Sequence, residues 1–283
     1  MKMAAKQLRP DQILARWFVF FVLLIVAAYT VAPLIAMVFT VAKDQGDITD
    51  PFSIPKTFGM WTNFADAWGS GHFSIYTKNS FLITIPTVLI VLALSTLAGY
   101  SFAKLRYRGR NLLYYLFILG MMVPFQSVMI PLYVLLANLN LLDTHYAVIL
   151  TISSSALPFG IFMMRSFYLG LSDSLIEAGR IDGCSDLMAF WYIVVPLTKP
   201  AWTSLLIFQT MWTWNNFIVP LITIYDDSLR PLPLGLMAYQ ARFSTNYTLV
   251  AAGVIIMVIP LVLMFIFLQR RFISSITLGA LKG

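Results

Sequence analysis

Apolar residues in this chain fall into six long blocks, each bounded by charged side chains. The blocks lie between Arg16 and Lys43, Lys78 and Lys104, Arg110 and Asp143, Asp143 and Arg165, Lys199 and Asp226, and Arg242 and Arg270. An α-helix rises about 1.5 Å per residue, so about 20 apolar residues cross a hydrocarbon core of about 30 Å. Each block is long enough for one crossing. The next longest uncharged stretch, between Asp186 and Lys199, is too short. The pattern predicts an all-α membrane protein with six transmembrane helices. They span about 17-42, 79-103, 112-136, 145-165, 199-224 and 247-269, preceded by an N-terminal segment 1-16. Residues 17-283 then form one transmembrane domain, with a long loop 166-198 between spans 4 and 5.

Composition agrees with this pattern. Of 283 residues, 59% are hydrophobic and 11% charged, against about 25% charged in soluble domains. A soluble fold could not cover so much apolar surface. Lys2, Lys6, Arg9 and Arg16 precede the first block, as in a signal peptide. That block is too long for one and no small-residue cleavage site closes it, so a retained first span is expected.

With six spans, both termini share a side. Loops on that side hold fourteen of the 19 basic residues, and the other side holds Lys43, Lys56, Lys78, Arg230 and Arg242. The positive-inside rule puts the basic side, with both termini, in the cytoplasm. Because the cations flank membrane spans, the net charge of +7 gives no reason to expect a nucleic-acid partner.

No predicted span contains Asp, Glu, Lys or Arg. Ion-coupled transporters and proton relays bind and release charge at depth and need such groups there. Intramembrane catalysis would need carboxylates, a metal cluster or an activated nucleophile. The chain also has no G-x-x-x-x-G-K-[ST] phosphate loop. If the chain moves something uphill, the energy comes from another polypeptide. Cys184 is the one cysteine, so no internal disulfide forms, and neither His72 nor His145 has a neighbour at ligand spacing.

The spans carry Pro33, Pro86, Pro124, Pro131, Pro158, Pro220 and Pro260. Each removes a helical hydrogen bond, which suits either a kinked gating helix or ordinary membrane-helix irregularity. Uncharged polar residues within spans include Gln126, Ser153, Ser154, Ser155, Gln209, Thr213, Asn215 and Asn216. Such groups face a bundle interior or a wet path. Asn215 and Asn216 stand beside Trp212 and Trp214, and amides with aromatic faces suit sugar rings. Trp also gathers at membrane interfaces, so both roles stay open. Gln126, Gln209, Trp212, Asn215 and Asn216 form the candidate substrate pathway.

Within the long loop, Leu171, Leu175, Ala178 and Ile181 recur at helical spacing as one stripe, with Asp173, Glu177 and Arg180 opposite. Ser174 and Glu177 match a capping box, although Ser172 could start the helix instead. Gly183 suits the left-handed position that ends it. Ser185 can cap a second helix through Met188, Phe190, Trp191, Ile193 and Val194, which Pro196 ends or turns into the fifth span. The expectation is helix, glycine turn, helix, across the mouth of the bundle.

Glu177-Ala178-Gly179, then Gly183, Ile193 and Pro196, resembles the E-A-A-x3-G-x9-I-x-L-P signature of ABC-importer permease subunits, with Gly179 in place of Ala and Val195 in place of Leu. Gly179 would weaken a helix by up to about 1 kcal/mol relative to Ala. The resemblance covers almost the whole chain. Phe81 to Leu105, Val123-Pro124-x-Gln126 with Ile130-Pro131-Leu132-Tyr133, Trp214-Asn215-x-Phe217-x-x-Pro220-Leu221, and Gln269-Arg270-Arg271-Phe272 through Leu278-Gly279-Ala280-Leu281-Lys282-Gly283 are similar to maltose-type, MalG-like carbohydrate importers.

That resemblance implies a permease subunit of a binding-protein-dependent importer for a sugar or oligosaccharide, in the plasma (inner) membrane of a prokaryote. It is a transport subunit, not an enzyme. Glu177, Ala178, Gly179, Asp182 and Gly183 would form the contact with an ATPase, and Glu177 can cap its helix as well. The implied partners are a second permease, two ATP-binding subunits and an extracytoplasmic solute-binding protein. No cofactor would be bound by this chain; ATP and Mg would sit on the partner ATPase. The outer loop from Tyr225 to Tyr247 would face the binding protein, and the tail through Lys282 and Gly283 would reach the ATPase pair. The alternatives are an importer permease for a non-sugar solute, an ion-coupled secondary transporter, and a membrane scaffold with no transport role.

Overall fold

The computed structural model describes residues 10–44, 48, 50–56, 58–239 and 246–280, with side chains from Leu14 to Met237 and from Asn246 to Gln269 within that set. Residues 1–9 of the expected N-terminal segment lie outside it. Secondary structure among the described residues is helical throughout, with no strand. The helices are α1 (Pro10–Ala42), α2 (Met60–Trp68), α3 (Phe73–Lys104), α4 (Arg110–Gly120), α5 (Phe125–Asn138), α6 (His145–Leu169), α7 (Asp173–Ile181), α8 (Asp186–Leu197), α9 (Lys199–Trp214), α10 (Ile218–Thr223), α11 (Leu232–Gly235) and α12 (Tyr247–Ala280).

Among the described residues, four helices are long and apolar enough to cross a membrane: Leu14–Ala42, Phe73–Lys104, His145–Leu169 and Tyr247–Gln269. The expected third span is α4 and α5, bent by 95° at the break between them. Pro124 explains the bend. It has no N–H, and it forces Val123 away from helical geometry, so the chain turns extended before α5 starts. The expected fifth span is also interrupted. α9 ends at Trp214, Asn215 to Phe217 leave the helix, and α10 resumes at Ile218.

Two compact units divide the chain: Met1–Gly71 with Tyr239–Ile255, and His72–Ala238 with Ile256–Gly283. In the first, the end of α1 is tied to the segment around α2. Asn63 Nδ2 donates to Val41 O and Lys43 O, both at 2.9 Å, and Gly59 N donates to Ala42 O at 3.0 Å. These donors satisfy carbonyls that a helix end leaves orphaned. Lys43 is fully buried, and its ammonium donates to Asp50 O and to Ser53 Oγ.

The second unit is built on α3 and α6, which run parallel. Ile83 packs near Val148 and Ile152, Ser95 against Gly160, and Gly99 against Met164. The approach is close because these sites are small. A Cβ on Gly99 would stand 2.7 Å from Met164 Cβ, and one on Gly160 2.1 Å from Ser95 Oγ. Small residues let helix backbones pack where lipid offers no hydrophobic driving force. Parallel neighbours require the chain between them to return along the bundle, and the bent pair α4–α5 makes that return. At the Lys104 end, α4 is held by Tyr114, whose ring lies under the Arg165 guanidinium at 4.1 Å. α9 runs the opposite way to α3: Ala201 and Leu205 join the cluster around Tyr100, and Trp214 meets Phe81 with ring centroids 4.9 Å apart. Trp214 Nε1 donates to Met257 O at 2.9 Å, one turn before Pro260.

At the Phe73 end, side chains of α3 and α6 fix the segment from Thr223 to Gly235. Asn79 Nδ2 donates to Ser228 O and Arg230 O at 2.8 and 3.0 Å, and Ser80 Oγ accepts from Leu232 N at 2.8 Å. Tyr76 donates its hydroxyl to the Asp227 carboxylate at 2.9 Å, and His145 Nε2 lies 3.0 Å from Leu229 O. Asp143, in a left-handed turn at φ 58°, accepts from Tyr225 N and Asp226 N at 2.9 Å each.

Candidate functional site

The loop between α6 and α9 folds as two short helices joined at Gly183. Ser172, not Ser174, starts α7: its side chain accepts from Ser174 N, and Asp173 opens the first turn, where a carboxylate favours the helix dipole. The C-terminus closes as a Schellman motif. Cys184 N donates to Gly179 O at 2.9 Å and Gly183 N to Arg180 O at 3.1 Å, with Gly183 at φ 87°. Ser185 then caps α8 by accepting from Met188 N. Arg180 bridges the turn, its guanidinium 2.8 Å from Asp186 Oδ1. α8 contains a π-helical stretch, Phe190–Val194, that the spacing of its apolar residues gave no sign of.

Two side chains fasten this helix pair to the bundle. Tyr100 of α3 packs on Tyr168 and Phe190, with ring centroids 5.8 and 4.8 Å away. Lys104, the last residue of α3, is nearly buried and donates to Leu171 O at 2.7 Å and to Asp173 Oδ1 at 2.5 Å. The hydrogen bond from Lys104 and then its positive charge hold the Asp173 carboxyl below its ordinary range.

The expected stripe of α7 is not its buried face. Ile176 and Gly179 point into the bundle, whereas Leu175, Ala178 and Ile181 are exposed. The orientation is set by tertiary packing: Gly179 lies against Ile193, and Ile176 joins the cluster around Tyr100. Apolar residues of α8 are exposed as well, so that Ile181 at 86% and Tyr192 at 78% exposure, with Leu187 and Trp191, lie outside the packed core. Among the five residues assigned to ATPase contact, Glu177, Ala178, Asp182 and Gly183 are exposed and Gly179 is buried. Glu177 also lines a cleft of about 560 Å³ with Tyr100, Lys104, Arg106, Asp173 and Arg180.

The two helix interruptions converge elsewhere. A cleft of about 520 Å³ is lined by Phe125 and Gln126, at the start of α5, and by Trp212, Asn215, Asn216 and Phe217, at the end of α9, with Ser155 from α6. Four of the five candidate pathway residues therefore meet there. Gln209 does not: it is buried and its Nε2 donates to Thr213 Oγ1 at 3.0 Å. Asn216 Oδ1 accepts from Val219 N at 3.1 Å and so starts α10, while Asn215 Nδ2 donates to Met211 O at 2.9 Å. Trp212 remains 66% exposed. An aromatic face beside amides can stack on and hydrogen-bond a polyhydroxylated ring. Among the described residues, no cluster of His, Cys, Asp and Glu could hold a metal ion. Lys282 and Gly283, and the tip of the outer loop at 240–245, lie outside the described residues.

Residues 94–277, from the middle of α3 into α12, match the family model of the inner membrane component of binding-protein-dependent transport systems. The chain belongs to this family. As a transport permease subunit it has several curated relatives. It is 36% identical over 213 residues to the arabinooligosaccharides transport system permease protein AraQ of Bacillus subtilis, covering 74% of this chain and 75% of that one. It is 29% identical over 263 residues to the diacetylchitobiose uptake system permease protein NgcG of Streptomyces coelicolor, covering 92% and 87%. A solved structure of a bacterial ABC transporter involved in the import of alginate, an acidic polysaccharide, contains a chain with the same fold. The TM-score is 0.83 at 21% identity, over 95% of this permease and 100% of that chain.

Proposed function

We infer that this permease imports a sugar or oligosaccharide, and that a separate ATPase drives it through α7 and α8. The observation that carries this is the helix pair itself. It is fastened to the bundle by Tyr100 and Lys104 of α3, yet turns Leu175, Ile181, Leu187, Trp191 and Tyr192 away from its own core. An apolar surface of that kind, rimmed by Glu177 and Asp182, is a docking face. Carbohydrate relatives support the substrate class.

In this account the bent pair α4–α5 and the interrupted pair α9–α10 each serve as one crossing, so that α1, α3, α6 and α12 complete six. Both termini and the helix pair face the cytoplasm, in line with the excess of basic residues on that side. Sugar passes the cleft of Gln126, Trp212, Asn215 and Asn216. Closure of two nucleotide-loaded ATPases moves the helix pair and switches this chain and a second permease between inward- and outward-facing states. ATP and Mg stay on the ATPases, and an external solute-binding protein delivers the sugar.

Reconstitution tests this. Proteoliposomes holding the permease with its ATPase, its second permease and the binding protein should take up labelled oligosaccharide only when ATP is enclosed. Uptake by this chain alone on an ion gradient would contradict it.

A further inference from the structure

We propose that α2 lies in the membrane interface at the Lys43 end of α1, with Trp61, Ala65 and Trp68 set into the boundary between lipid headgroups and acyl chains. The helix then anchors that end of α1 at a fixed depth. In the orientation proposed above this interface is the external one; the anchoring itself does not depend on how transport is driven.

α2 carries more apolar surface than the protein covers. Around the helix, Ala67, Met60, Phe64, Trp68, Trp61 and Ala65 follow one another as a single arc, and Thr62, Asp66 and Asn63 complete the circle. One edge of the arc packs within the protein: Ala67 is fully buried, and Met60 and Phe64 are half-buried. The other edge is open. Trp61 is 78% exposed, and Ala65 and Trp68 follow it on the same face, one and two turns on. Phe58, just before the helix, is exposed as well.

The place where α2 is held points to lipid as the occupant of that edge. Asn63 donates to Val41 O and Lys43 O, and Gly59 N to Ala42 O, so α2 is tied to the last turn of α1. From Trp17 to Val38, α1 is uncharged and mostly exposed over roughly 33 Å, close to a hydrocarbon core of about 30 Å. Burial is complete just beyond this stretch, at Val41, Ala42 and Lys43. The tie therefore falls where hydrocarbon gives way to headgroups. A charged ammonium is costly deeper in the membrane, and the Lys43 ammonium sits at this level on Asp50 O and Ser53 Oγ. Indole rings favour the same layer, and an amphipathic helix lies in its plane with the apolar face toward the acyl chains.

The test uses the whole transporter in proteoliposomes of phosphatidylethanolamine and phosphatidylglycerol. Spin labels are placed singly at Trp61→Cys, Ala65→Cys, Trp68→Cys and Asp66→Cys. The background is Cys184→Ser, because Cys184 is the one native cysteine, with the partner chains freed of cysteine. Collisions of the label with oxygen, which concentrates in lipid, are compared with collisions with a water-soluble nickel chelate. The oxygen-to-nickel ratio at Trp61→Cys, Ala65→Cys and Trp68→Cys should exceed that at Asp66→Cys at least threefold. Equal ratios at Ala65→Cys and Asp66→Cys would place the open edge in water and overturn the anchor. A label at Ala65→Cys shielded from both reagents would mean that a protein partner covers the edge, and would overturn it too. Should a tryptophan variant fail to assemble, Ala65→Cys decides, because it keeps both indoles. Uptake is read in the same vesicles: an oxygen-favouring ratio without ATP-driven uptake would support the anchor while counting against the transport reading.

Discussion

Gly179 and Ile193 touch across the turn between α7 and α8: a Cβ on Gly179 would stand 2.5 Å from Ile193 Cδ1. The glycine thus exchanges helix propensity for a close approach of the two helices. Alanine would gain up to about 1 kcal/mol of propensity and lose about 1–3 kcal/mol to overpacking. Gly179→Ala should weaken ATPase co-purification modestly, and Gly179→Leu should abolish it. Ile193→Val removes the clashing methyl and should restore the Gly179→Ala complex to parental yield.

Gly183 behaves differently. Nothing lies within 4 Å of its missing Cβ, but its φ is 87°. The cost of a side chain there is backbone strain alone, about 1–2 kcal/mol, so size is irrelevant. Gly183→Ala and Gly183→Leu should reduce ATPase binding equally while leaving membrane insertion intact. Gly183→Asn should do less harm, since Asn tolerates the left-handed region. Titrating purified ATPase onto each variant measures the order; a leucine variant much worse than alanine would contradict it.

Lys104 favours the ionised form of Asp173 and so holds its carboxyl below the ordinary value of 3.8. A depressed carboxyl contributes fully above its unfolded value and loses that contribution only as pH falls through the folded one. The Lys104–Asp173 bond is therefore constant from pH 5 to 8. The ratio of Asp173→Asn to parent uptake should stay within about twofold across that window, measured in proteoliposomes at matched ATP.

In the cleft, Trp212→Ala and Gln126→Ala should lower oligosaccharide uptake at least tenfold with the complex still assembled. Gln209→Leu should not, because its amide is buried and donates to Thr213. Asn216→Ala should also cost about 1 kcal/mol of stability through loss of the Val219 cap, and Asn216→Asp should keep the cap. Uptake kinetics alongside thermal melting separate the two effects.

Much of this was legible in the chain. The charge-free blocks mark every long helix, and Ser172, Ser185 and Gly183 mark the ends of α7 and α8. Pro124 signals the bend of α4–α5, but only the structure shows that other prolines, such as Pro86 and Pro158, stay inside unbroken helices. Pro220 signals the interruption at Asn215 to Phe217, because it can neither donate to Asn216 O nor pack beside it in a continuous helix. The direction of α7 was hidden for another reason. Its apolar stripe is real, yet burial follows Ile176 and Gly179, because partners distant in sequence, Tyr100 and Ile193, decide which face packs. A residue without a side chain gives periodicity nothing to count.

Ile181 offers the most direct test of ATPase docking. At 86% exposure it packs on nothing that an aspartate would disturb within the permease. Purified complexes of Ile181→Asp should show at least tenfold weaker ATPase binding, and ATP-driven oligosaccharide uptake should fall with it. Parental binding and uptake in that variant would mean that the exposed face of α7 and α8 is not where the motor attaches.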